Sequence, residues 1–275
     1  MSFPVVAHGI VTADMAAIHG LRDAPAPPGV PPLPARFLRH ADEHSVVGVR
    51  AVMEAMASFP GASRRHDLSA VVAAPCGAGR PTSARTLVQL RAGGAVTVSP
   101  HVVPQCSLHA VAAAVSVGLG MHGPNIGAGG GPEAVGEGIL AAASLLDEAG
   151  VDGCWLVLTA WDREPLLDDS GDAPAGAVCR GVALRLDRAA ASATTLTLRP
   201  RPGPALAVAD DDGGRALAGI AAALAADADG ARPGAARADD CDGYLWSHRL
   251  PWGGVACLER DAASVARDTR GRRAA

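Results

Sequence analysis

Six cysteines and nine histidines carry most of the chemistry available to this sequence, and their spacing narrows what that chemistry can be. Cys106 and His109 stand three apart where a helix is expected to begin, so they could share one helix face. A thiol at a helix N-terminus beside an imidazole has a lowered pKa and can act as a nucleophile. A packed thiol and a hydrogen-bonded core histidine are the competing reading. Cys76 follows a strand-like run and precedes Gly77, and it has the same two readings. His40 and His44 make one H-x-x-x-H pair, the spacing that turns two imidazoles toward a metal on one helix face. Asp42, however, suits the helix cap, which leaves His40 outside the helix, so no metal site is expected. No C-x-x-C pair suggests zinc or thioredoxin-like chemistry.

The run Gly129-Gly130-Gly131-Pro132-Glu133-Ala134 fits G-x-G-x-x-A, a turn that can bring backbone close to a pyrophosphate. The preceding strand is short, and Glu133 would set a negative charge beside the phosphates. A tight strand-to-helix turn is the better reading, with Glu133 favourable at the positive end of the helix dipole. H-E-x-x-H, G-x-S-x-G and G-x-x-x-x-G-K-[ST] are absent, which argues against metalloprotease, esterase-type and nucleotide-hydrolysing chemistry. Trp246 and Trp252 flank Ser247 to Pro251 and could cover the core or meet a partner.

The elements that must position these residues read as alternating strands and helices. Val5 to Val11 predicts a first strand with a short helix through Ile18, and the Pro-rich stretch 24–35 predicts a surface connection. Asp42 caps a helix through Met56; Leu68 to Ala74 is a buried strand; Thr82 or Ser83 begins a helix that ends near Gly93. A helix is expected over Ser107 to Met121, a short strand over Asn125 to Ala128, and a second helix from Pro132 to about Glu148. Cys154 to Thr159 is apolar enough for a fully buried strand. Ala177 to Leu186 and Thr194 to Arg199 read as two adjacent strands closing the sheet. Arg215 to Ala225 predicts a helix, 226–242 a mobile linker, Val255 to Leu258 a further strand, and the end from Arg267 a frayed tail.

The central stretch resembles the N-terminal half of the β-ketoacyl synthases, in the thiolase-like superfamily. Pro104, Ala112, Gly120, Gly123 and Pro124 match that family's helix-to-strand segment at its spacing, Met121 stands for its Leu, and His109 stands where it usually has Asn. Counting on from Gly123-Pro124, the residue in the nucleophile's place is Pro132, which has no nucleophilic atom. The resemblance implies an α/β fold: a thiolase-like half-fold, a mixed sheet of five or more strands flanked by helices. It implies a domain over 1–200 and a short C-terminal appendage with a linker over 201–275. The second half of such a synthase, with its two catalytic histidines, has no counterpart in the sequence. Cys106, Leu108, His109 and Pro132 are the implied acyl-pocket candidates.

Composition sets the remaining bounds. At 275 residues and 49% apolar, the chain can bury a sizeable core. Its net charge of -4 leaves no electrostatic footprint for nucleic acid, and it has neither a polybasic membrane contact nor a bilayer-length apolar run. A cytoplasmic protein without a signal peptide or cofactor is expected. The leading expectation is a non-condensing ketosynthase-like subunit, similar to a chain-length factor, in fatty-acid or polyketide-type synthesis. Its partners would be a ketosynthase or a second copy of itself, and acyl carrier protein. One alternative is an acyl-thioester-handling enzyme that uses Cys106; another is a scaffold without an acyl ligand.

Overall fold

A computed structural model describes residues 1–59, 68–148, 150–151, 153–190, 192–200, 212–228, 244–250 and 252–260. Its strands are β1 (Ser2–Asp14), β2 (Ala70–Cys76), β3 (Asn125–Gly127), β4 (Gly153–Trp161), β5 (Val178–Asp187), β6 (Thr194–Pro200), β7 (Tyr244–Arg249) and β8 (Gly254–Arg260). Its helices are α1 (Met15–Asp23), α2 (Glu43–Ala57), α3 (Arg80–Gly93), α4 (Val102–Gln105), α5 (Ala110–Leu119), α6 (Ala134–Asp147) and α7 (Asp212–Ala228). One mixed sheet of eight strands runs β3-β2-β4-β5-β1-β6-β8-β7. The β2–β3 and β2–β4 pairs are parallel and the others antiparallel.

Strand β4 divides the core because its side chains alternate across the pleat. Cys154, Leu156, Leu158 and Ala160 join one apolar cluster with Ile139 and Leu146 of α6 and Leu217 and Leu224 of α7. Trp155, Val157 and Trp161 join the other, with α2 and with Val111 and Val115 of α5. The fold is therefore three layers, with α6 and α7 on one face of the sheet and α2 and α5 on the other. All nine residues of β4 are buried, as its continuous apolar run predicts.

Helix α2 is capped by Asp42, whose Oδ1 accepts from Ser45 N at 2.8 Å. It is buried nearly all round, beyond the single apolar face expected, because β1, β4, β5, α1 and α5 all pack on it. Its buried Arg50 donates to the carbonyls of Leu21 (2.8 Å), Ala24 (2.7 Å) and Pro25 (3.2 Å), tying down the end of α1 and the Pro-rich connection.

Several expectations change in detail. Helix α3 begins at Arg80, ahead of Thr82, because Gly79 takes a left-handed conformation at its cap (φ 76°). The helix over Ser107 to Met121 is shorter and is preceded by the separate turn α4. Helix α6 starts at Ala134, so Pro132 lies in the turn before it. Strands β5 and β6 are not adjacent, because β1 lies between them: Val5 to Asp14 pairs with β5 and Ser2 to Pro4 with β6. Of the segment expected as an appendage, the described strands β7 and β8 belong to the same sheet. The β7–β8 hairpin extends the sheet beyond β6, while Asp227 of α7 accepts from the Thr194 hydroxyl at 2.7 Å and pairs with Arg260. Of the expected linker, 226–228 belong to α7, whereas 229–243 and the tail from Arg267 lie outside the described residues.

Candidate functional site

The turn that follows β3 is fastened to the end of β2. Gly130 N donates to Pro75 O at 2.9 Å, Gly77 N to Gly130 O at 3.2 Å, and Ala128 N to Ala73 O at 2.8 Å. Pro132 thus sits beside the C-terminal end of a central parallel strand, at the entrance to α6. Such crevices outside the carboxyl ends of parallel strands are where α/β proteins commonly place sites. Two positive-φ glycines shape the turn, Gly129 (83°) and Gly130 (105°). A Cβ on Gly129 would lie 2.7 Å from Ala134 Cβ, and one on Gly130 2.7 Å from Leu108 Cδ2. The surroundings of both glycines are filled by side chains, which fits a packed turn and not a cradle for pyrophosphate.

Cys106 ends α4, and His109 stands one residue before α5, so the two do not open a common helix. This corrects the expected shared face: four residues of helix stop at Cys106, and a turn intervenes before Ala110. Cys106 Sγ lies 3.7 Å from Gly79 O, and a Cβ on Gly79 would approach Cys106 Cα to 2.9 Å. His109 is exposed, while Leu108 reaches across to the turn. Among the four acyl-pocket candidates, the structure joins Leu108 to the Pro132 turn and sets Cys106 against Gly79.

Cys76, at the end of β2, is the thiol beside Pro132. The first turn of α7 closes on both: a Cβ on the buried Gly213 would lie 2.6 Å from Cys76 Sγ and 3.3 Å from Pro132 O. One on Gly214 would lie 2.4 Å from Trp161 O, so this turn is seated by backbone against backbone. Nothing in the sequence announced this cover, because it joins residues far apart in the chain. Asp42 likewise has a second role beyond capping. Its Oδ2 accepts from Gly79 N at 3.1 Å, holding the loop between β2 and α3 against α2.

Two ion pairs fasten the first turns of α3 that follow this loop. Arg80 Nη1 meets Glu164 Oε1 at 2.5 Å, and Arg85 meets Asp172 at 3.0 Å. Burial pushes the Glu164 carboxyl up, opposed by Arg80. Glu43, almost wholly buried, lies 3.7 Å from Arg22 and 3.6 Å from Arg85. Burial lowers the Arg22 pKa, with Glu43 the foremost opposing charge.

His40 is exposed outside α2, whereas His44 is buried within it, and its Nδ1 lies 2.9 Å from Thr159 Oγ1. Among the described residues no three His, Cys, Asp or Glu gather as metal ligands. Cys154, Cys179 and Cys257 are core residues; burial pushes the Cys154 thiol up to about 12 and raises Cys179 well above the ordinary range. Cys241 lies outside the described residues. Trp246 covers Gly219 of α7 and stacks on His248, while Trp252 is half-exposed beside Gly136.

No family model matches the sequence, and no curated protein does. Solved structures do match. A ketosynthase in complex with its chain length factor, from Xenorhabdus doucetiae, superposes with TM-score 0.55 at 12% identity, over 94% of this chain and 100% of the matched one. The fold is that of the ketosynthases. A β-ketoacyl synthase from Burkholderia phymatum matches at TM-score 0.50 and 16% identity, and the matched part spans 72% of this chain and 63% of that one. A type II polyketide acyl-carrier protein in complex with its ketosynthase bound to the hexaketide matches at TM-score 0.50 and 13% identity, over 94% and 98%. Among the described residues no helix is long and apolar enough to cross a membrane.

Within this ketosynthase-like fold, β3 is an edge strand. Val71 N donates to Pro124 O and Ala128 N to Ala73 O, both at 2.8 Å. In a parallel ladder this alternation turns the Ile126 backbone toward β2 and leaves the N–H groups of Asn125 and Gly127 on the open edge. Proline at 126 would therefore break the bond to β2, and Asn125 is the position that tests the edge.

Proposed function

We propose that this chain is a non-condensing ketosynthase-like subunit that acts beside an active ketosynthase in polyketide- or fatty-acid-type synthesis in the cytoplasm. The observation that carries the reading is Pro132. By the count that the family resemblance gives, it stands in the nucleophile's place; it lies in the turn before α6, offers no atom for acylation, and has its carbonyl beneath the first turn of α7. Cys106 is a poor substitute, because it lies at the C-terminal end of α4 with its Sγ 3.7 Å from Gly79 O, and His109 does not share a helix with it.

The open edge of β3 supplies a surface for the partner. Its unpaired N–H groups favour a further strand, and Leu108 and Ile126 are exposed beside it. A ketosynthase pairing there would make a heterodimer, and a second copy would make a homodimer. Acyl carrier protein is then a partner of the assembled pair.

The test is co-expression with a ketosynthase encoded in the same gene neighbourhood, followed by light scattering and intact-mass spectrometry after incubation with an acyl thioester. A one-to-one complex acylated only on the ketosynthase is expected. An adduct on this chain would make it an acyl-handling enzyme. A monomer that captures no ketosynthase would make it a scaffold of another kind.

A further inference from the structure

A cleft of about 700 Å³ opens between the segment 37–45 and the outer face of α5, away from the Pro132 turn. One wall is a helical stripe, Ala110, Ala113, Ala114 and Val117, at the spacing that faces a single direction. The opposite side of α5, with Val111, Val115 and Leu119, is already buried. Phe37 and Leu38 face the stripe, and the alanines leave width between the walls. The volume falls within the usual range for small-molecule sites.

The inner end is polar. Ser45 is 3% exposed and lines the cleft, yet its hydroxyl makes no hydrogen bond among the described residues. Asp42, 1% exposed, lines it beside Ser45, with one oxygen on Ser45 N and the other on Gly79 N. Each carboxylate oxygen keeps a further lone pair. Arg22 interacts electrostatically with both Asp42 and the neighbouring Glu43, and Arg85 also meets Glu43, so two guanidinium groups offset the two carboxylates at this end. A hydroxyl at this position can both donate to and accept from a molecule in the cleft.

We infer that this cleft binds a small uncharged amphipathic molecule, an aliphatic or aromatic body ending in a hydroxyl. The body lies along the alanine stripe, and the hydroxyl donates to the Asp42 carboxylate while accepting from Ser45 Oγ. His40 and His101 stand exposed at the mouth, where solvent is reached.

The experiment is isothermal titration calorimetry of the full chain with 1-octanol, octanoate and octylammonium as probes. One-to-one binding of 1-octanol, tighter than either charged probe, is expected. Ala113→Leu narrows the cleft and should weaken 1-octanol at least tenfold; Ser45→Ala removes one hydrogen bond and should weaken it about three- to tenfold. Val117→Arg, at an exposed mouth position, gives the same blockade if Ala113→Leu fails to fold. Absence of 1-octanol binding, equal affinity in the blocked variants, or tighter binding of a charged probe would each overturn the assignment.

Discussion

Burial of His44 makes the stability of this fold fall as the solution is acidified, and the size of the effect can be worked out from its surroundings. The ring lies inside α2, with Nδ1 2.9 Å from Thr159 Oγ1, its edge toward Trp161 and Nε2 without a partner. Burial lowers its pKa, with Asp42 and then Glu43 opposing. The folded pKa is therefore below the unfolded value of about 6.5. Above that value both states carry a neutral ring and stability is complete. Below it the unfolded chain takes up the proton first, and stability is lost as pH falls toward the folded pKa. Between pH 7.5 and 5.5 the loss reaches at most about 1.4 kcal/mol for this one ring. The double substitution His44→Phe with Thr159→Val removes both hydrogen-bonding partners together, keeps a ring against Trp161, and should leave stability at pH 7.5 within about 1 kcal/mol. Urea unfolding followed by circular dichroism at both pH values, at one protein concentration, gives the comparison. The double variant should lose less over that interval than the wild type, by up to about half a molar in midpoint for a slope of ~3 kcal/mol/M. An identical acid loss in the two proteins would show that His44 is not held neutral in the folded state.

Asn125→Pro removes an N–H from the open edge of β3 and spares the bonds to β2, so light scattering should show the ketosynthase complex or the homodimer dissociating into folded monomer. Unchanged association would move the interface elsewhere. Gly213→Val places methyl groups where Cys76 Sγ now lies, lifting the first turn of α7. Alkylation of Cys76 by iodoacetamide, read by peptide mass spectrometry, should accelerate several-fold while the buried Cys154 stays protected. An unchanged rate would mean that α7 does not cover the thiol.

Local signals made much of this fold legible in the sequence. Asp42 as a cap, the apolar run of β4, and the Gly123-Pro124 punctuation before β3 each depend on residues within a few positions of one another. The same locality places Pro132 at the entrance to α6, and with it the lack of a nucleophilic atom there. Other features rest on contacts between distant parts of the chain, whose registry no local pattern encodes. Strand β1 parts β5 from β6 because its two ends pair with different neighbours. The hairpin after Pro200 joins the sheet because β6 offers it an edge, and Thr194 and Arg260 hold Asp227 of α7 in place. Cys106 and His109 looked like companions on one helix, but α4 stops at Gln105 and α5 starts only at Ala110, while Cys106 packs on the Gly79 loop. The cover of α7 over Cys76, the second bond of Asp42 to Gly79 and the unpartnered hydroxyl of Ser45 were decided by tertiary packing alone. Each depends on which backbone or cavity arrives beside a side chain once the layers have closed.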